Sequence, residues 1–209
     1  MTDSVATSVL PTVILDPDGD LLLTVGSKPE YEPKAYKVAA SALGRASPVW
    51  KAMLFGGWAE SKPGSEQLVV SEQWTISHPE DDPDAMEPLL AIIHGRSFEM
   101  VPDQLSSPQE LHDILVVANK YDILGSLHPW INGWTVCIRN PAALDWKESE
   151  TKEMMTHIAW ELGHETLFFE SMRQTCLEVF DYDLEDMQSE LASWSDFTPS
   201  GFTGACPYP

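Results

Sequence analysis

Along this chain the spacing of apolar positions changes from segment to segment, and the changes mark out the elements. Leu21-Leu22-Leu23-Thr24-Val25 is a short continuous apolar run, which suits a strand covered on both faces. It follows Asp16-Pro17-Asp18-Gly19-Asp20, where Asp, Pro and Gly each favour a turn for a different reason. A turn region over 26–33 separates this strand from a second at 35–38, completing a hairpin. Leu68-Val69-Val70 reads as one more short strand.

Between and after these strands the apolar spacing becomes helical. Ser47 is an N-cap with Pro48 at the first helical position, and Trp50, Met53 and Leu54 share one face before Gly56-Gly57 ends the helix. The acidic stretch Glu80-Asp81-Asp82-Pro83-Asp84 suits a helix start, with Asp84 and Glu87 as a capping-box pair. Met86, Leu89, Leu90 and Ile93 then follow at helical spacing to a stop at Gly95, and Pro88 belongs within about the first turn. Ser107-Pro108-Gln109-Glu110 combines cap, proline and box glutamate, and Leu111, Ile114, Leu115 and Ala118 mark the buried face behind it. Trp130, Ile131, Trp134 and Ile138 mark another helix, ending at Asn140-Pro141.

Beyond Pro141 no strand-like run occurs. Three helices are predicted there: on Met154, Met155, Ile158 and Leu162; on Phe169, Met172, Cys176 and Phe180; and on Leu184, Met187, Leu191 and Trp194. The organisation predicted is an N-terminal arm (1–15), an α+β domain with a small sheet and a cluster of helices (16–140), an all-helical acidic extension (141–197) and a flexible tail (198–209). The tail is rich in Pro and Gly, as unstructured termini are.

Charge narrows the partners. The 209 residues carry 12 Lys and Arg against 33 Asp and Glu, a net charge of −21, and residues 145–196 alone hold 14 acids and 3 bases. Nucleic-acid binders displace counterions from phosphates with a basic footprint, and anionic membranes attract the same kind of surface. Neither partner is expected. Cys137, Cys176 and Cys206 are odd in number and far apart, so neither a disulfide framework nor a zinc site is expected. Asp3 and Pro11 spoil a signal-peptide pattern, and no run approaches the length of a membrane span. The expectation is a reduced, soluble, intracellular protein, nuclear or cytoplasmic.

Candidate chemistry is sparse. Asp16, Asp18 and Asp20 imitate the opening of a calcium loop, but Gly19 is fourth rather than sixth and Ser27 stands where the bidentate Glu belongs. His157 and His164 lack a third ligand and are separated by Gly163. There is no G-x-S-x-G, P-loop or G-x-G-x-x-G string, and Trp50, Trp130, Trp134 and Trp160 fall at core spacing. No catalytic, cofactor-binding or metal-binding residue is expected.

Several strings, in order, resemble BTB/POZ domains over about residues 16–140. Gly19-Asp20-Leu21-Leu22-Leu23-Thr24-Val25-Gly26 is similar to the family's first strand. Val38 to Leu43 followed by Ala46-Ser47-Pro48-Val49-Trp50-Lys51-Ala52-Met53-Leu54 is similar to its helix, S-P-x-aromatic and second helix. Glu60 matches an acidic residue after that helix, and Ala118-Asn119-Lys120-Tyr121 resembles the family's A-D-K-Y. Ile92-Ile93-His94-Gly95 and Trp160-Glu161-Leu162-Gly163 look like fungal members.

The resemblance implies a protein-interaction module rather than an enzyme. It implies a homodimer interface on the first core helix, around Val38, Ala42, Leu43 and Ala46. The segment Val13, Ile14 and Leu15 would be a strand added to a partner. Ala39 and Ala40 stand where many members have His and a basic residue, so the family's charged pocket would keep Asp20 without its cation. An alternative role is a substrate adaptor for a cullin-type ubiquitin-ligase scaffold. Phe98, Glu99 and Tyr121 would then lie near the scaffold surface, with Ser97 where a hydrophobic residue is usual. A small enzyme with a site invisible in sequence ranks last.

Overall fold

The computed structural model describes residues 10–61, 73–139 and 148–179. The strand expected at 68–70, the third extension helix and the tail lie outside them. Four strands form one sheet in the order β1-β3-β2-β4: β1 Thr12–Ile14, β2 Leu21–Val25, β3 Lys34–Val38 and β4 Thr75–His78. The β2–β3 hairpin is antiparallel, with Leu21 opposite Val38, whereas β1 pairs with β3 and β4 with β2 in parallel.

The helices are α1 Ala40–Ala46, α2 Pro48–Phe55, α3 Pro83–Ile93, α4 Ser97–Met100, α5 Pro108–Lys120, α6 His128–Trp134, α7 Ser149–Glu161 and α8 Glu165–Val179. Short 3₁₀ turns at Leu124–Leu127 and Thr135–Ile138 flank α6. The fold is therefore mixed helix and sheet. It divides into two compact units, one from the described parts of 1–103 and 116–131, the other from those of 104–115 and 132–209. The first carries the sheet.

In β2 burial alternates: Leu21, Leu23 and Val25 are fully buried, while Leu22 and Thr24 are half-covered. The continuous apolar run is thus a strand with one sealed face, not two. Its hairpin leads into α1, whose N-cap, Ala39, has no side chain able to cap. The first amides of α1 are satisfied from elsewhere in the unit. Ala40 N–H donates to Asp20 Oδ1 at 2.9 Å, and Ala39 N–H to His94 Nε2 at 3.1 Å. His94 Nδ1 lies 2.8 Å from the Leu90 carbonyl, so that nitrogen carries the proton and the other accepts. The Asp16 carboxylate accepts from Asp18 N–H, as the turn reading requires.

Ser47 does cap α2, accepting from Trp50 N–H at 3.0 Å while its hydroxyl donates to the Tyr121 carbonyl. The start of α3 is earlier than predicted: Asp82 is the cap, accepting from Asp84 N–H at 2.8 Å, and Pro83 takes the first position. Pro88 therefore sits inside the helix, where it removes one ladder bond. The N-terminal turns of α3 are clamped to β3. Lys34 Nζ reaches Asp84 and Glu87 at 2.8 and 2.9 Å, and Tyr36 OH donates to the Pro83 carbonyl at 2.9 Å. The helix ends as Gly95 predicts. Gly95 at φ 70° and Arg96 donate to the Ile92 and Ala91 carbonyls, the paired bonds of a Schellman motif.

In the second unit, Glu110 N–H donates to Ser107 Oγ at 3.2 Å, and the Glu110 carboxylate accepts from Ser106 N–H at 2.8 Å. The capping box forms, reaching one residue further back than predicted. Helices α7 and α8 pack as a hairpin, with Met155, Ile158, Ala159, Leu167 and Ser171 buried. The face predicted for α8 is reversed: Phe169 is 68% exposed and Cys176 is exposed.

Candidate functional site

The first candidate surface is the outward side of the α1–α2 hairpin. Val38 and Leu43, expected at a dimer interface, are 0% exposed and belong to this chain's own core, while Ala42 is 8% exposed and Ala46 half-buried. The physical reason is helix phase: α1 turns Ala40, Ala42 and Leu43 inward, and only its opposite side is open. What faces outward instead is Val49, Phe55 and Trp58, at 37, 50 and 68% exposure. The Phe55 ring lies over Gly44, where a Cβ would stand 2.7 Å from Phe55 Cε2, so the missing side chain lets the ring bridge the two helices. Trp58 is not marked by any periodicity in the sequence. Its one signal was a large aromatic residue in a glycine turn, outside any helical repeat.

The segment Val13, Ile14 and Leu15 is not free for a partner in the way expected. Val13 and Ile14 lie in β1, paired with Tyr36 and Lys37 of the same chain, and Leu15 is buried. Ile14 remains 54% exposed at the sheet edge.

The second candidate surface surrounds α4. Phe98 is 101% exposed on this single-turn helix. Glu99 is also exposed and pairs with Arg96 at 3.4 Å. Beside them a groove of about 570 Å³ is lined by Ser97, Phe98, Val101, Pro102, Asp103 and Trp130. Trp130, read as core, is only half-buried and forms part of this wall.

Tyr121, the third residue expected on that surface, is 0% exposed. Its ring stacks on Trp50 with centroids 4.3 Å apart and meets His78 edge-on at 5.7 Å. Its hydroxyl donates to Asp81 Oδ2 at 2.5 Å, and Lys120 Nζ binds Asp81 Oδ1 at 2.5 Å. Asp81 is itself 5% exposed, so two cationic or protic partners compensate one buried carboxylate. Burial, then the Asp81 carboxylate, drives the Tyr121 phenol far above its usual range. Burial likewise pushes His78 down; Asp81 opposes this and Lys120 reinforces it. A phenol that stays protonated and an imidazole that stays neutral make this cluster a hydrogen-bonded pin between the β4–α3 turn and the end of α5. Trp50 Nε1 and His78 Nε2 are buried beside it without hydrogen-bond partners.

Among the described residues no group of three or more His, Cys, Asp or Glu is arranged to hold a metal ion. None of the described helices is long and apolar enough to cross a membrane. No family model matches the chain, and no curated protein matches it.

Proposed function

We propose that this chain is a BTB/POZ-like protein-interaction module, not an enzyme, that self-associates through the outward side of α1 and α2. The observation that carries the reading is the exposed trio Val49, Phe55 and Trp58, three large apolar groups on one helix and its following turn. Exposed aromatic residues are typical anchors of protein interfaces. The order of hairpin, helix pair, parallel strand and helices also supports the reading. So does the acidity of the chain, which disfavours nucleic acid and anionic membrane as partners. Neither cofactor nor metal has a part in it. The outer edge of β1, where no other described strand pairs, carries Ile14 and is where a partner's strand would extend the interface.

Light scattering over a range of concentrations tests this. The full chain is expected to run as a dimer, and Phe55→Glu combined with Trp58→Ser as a folded monomer with little change in melting temperature. A monomeric wild type, or a dimer indifferent to both substitutions, would sink the reading.

The fully exposed Phe98 favours a second role for the same module, adaptor to a cullin-type scaffold through Phe98, Glu99 and the adjoining groove. Binding of purified cullin at micromolar concentration should then weaken at least tenfold in Phe98→Ala. No binding by the wild type removes this role without touching self-association.

A further inference from the structure

A pair of imidazoles in the helical unit has no part in either surface. His112 on α5 and His157 on α7 meet ring edge to ring face, with centroids 4.9 Å apart. Both are mostly covered, with side-chain exposures of 16 and 14%. His157 Nδ1 is buried with no hydrogen-bond partner, and its Nε2 lies 3.7 Å from Glu161 Oε1, beyond hydrogen-bond reach. A neutral ring tolerates such a place as a flat, largely apolar plate. A protonated ring carries two N–H donors, and the one on Nδ1 would be buried with no acceptor among the described residues, beside a second imidazole.

We propose that the His112–His157 contact is an acid-sensitive latch, holding α7 against the first turns of α5 while His157 is neutral and releasing it when His157 takes up a proton. The described charged groups of the same unit have partners or positions that leave that balance in place. On α5, Asp113 contacts His112 at 3.3 Å, and Glu110 is occupied at the helix cap. On α7, Glu153 is bonded to Ser149, and Lys152, buried one and a half turns before His157, has a partner of its own. On α8, Glu165 is exposed and Glu170 is paired with Arg173 at the surface, while His164 Nδ1 accepts from Leu167 N–H. After α6, Cys137 donates to the Trp134 carbonyl and Arg139 to that of Asn132.

Glu161, 3.7 Å from His157 Nε2, is a described acid that would welcome a charged His157. Burial pushes its own carboxyl upward, which weakens that support as the pH falls. Burial first, and repulsion from His112 second, hold His157 down at about 4, against 6.5 for a free imidazole. A folded-state value below the unfolded one means that stability is complete above about pH 6.5 and is lost as the pH falls toward 4. At pH 5 the open form should gain about 30-fold over the closed one, relative to neutral pH.

Hydrogen exchange of the full chain, corrected for intrinsic rates, reads this directly. Amides of 149–161 should lose roughly 30-fold in protection between pH 7.5 and 5 in the wild type. In His157→Phe, which keeps a flat ring and removes the proton site, the loss should disappear. Should that variant fail to fold, His112→Gln removes the repulsion and should shrink the loss severalfold. An unchanged pH response in the variant that folds, or a wild-type His157 that titrates near 6.5 by NMR, overturns the latch.

Discussion

Leu43→Asp is expected to unfold the sheet-bearing unit rather than to part a dimer. Leu43 is 0% exposed, on the inward side of α1 beside Ala40, and Val38 at the end of β3 is just as deeply buried. Truncating a buried leucine alone costs about 2–5 kcal/mol. An unpaired carboxylate in the same place adds a desolvation cost of several kcal/mol more, unless the group stays protonated. The sum, about 5 kcal/mol or more, matches the whole stability of many domains. Circular dichroism in a urea series should show loss of the folded baseline or a steep fall in the midpoint. Set beside Phe55→Glu, where a half-exposed ring is replaced, the result separates core from surface on one helix pair. A well-folded Leu43→Asp chain would mean that α1 does not face inward as described.

Asp81→Ala should be the next most damaging change, at about 2–4 kcal/mol. It leaves the Tyr121 hydroxyl, wholly buried, without its acceptor, and a buried polar group stranded in this way costs about 1–3 kcal/mol. It also removes the partner of Lys120. That loss is small, since the Lys120 side chain is 50% exposed and can turn to water. Tyr121→Phe should therefore recover much of the penalty when added to Asp81→Ala, because it removes the stranded hydroxyl. Lys120→Met alone should change stability by about 1 kcal/mol or less. Melting curves of the three variants decide it. Equal losses in Lys120→Met and Asp81→Ala would show that the ion pair, not the phenol, carries the pin.

What could be read from the sequence was what the chain decides locally. Ser47-Pro48, Ser107-Pro108-Glu110 and Gly95 each fix a helix end through bonds to residues within a few positions, and each was legible. The face Leu111, Ile114, Leu115 and Ala118 was equally plain, because a single periodicity governs it. What escaped depends on distant partners. Thr75–His78 has one fully buried apolar residue, Ile76, and is a strand only because β2 lies alongside it. Asp82-Pro83 competed with Asp84 as a helix start, and two nearby acids with similar capping chemistry cannot be ranked from spacing alone. Phe98 and Glu99 are exposed as expected, but Tyr121, expected at the surface, is buried with its ring stacked on Trp50. Val38 and Leu43, expected at an interface, belong to the core, since alanine-rich α1 offers little contrast between its sides.

The sheet order has a consequence for how the chain finds its fold. Its central pair is a hairpin, with Leu22 opposite Lys37. Both outer strands join in parallel, and Leu22 meets Thr75 only after the chain has passed through α1 and α2. Closing the longer loop costs about 1 kcal/mol more in chain entropy than closing the hairpin. Non-local parallel pairing is also slow to search out. The hairpin is thus the natural nucleus and β4 the late arrival. Until β4 docks, one flank of β2 is an unpaired edge of leucines, the point at which a newly made chain is most open to joining another.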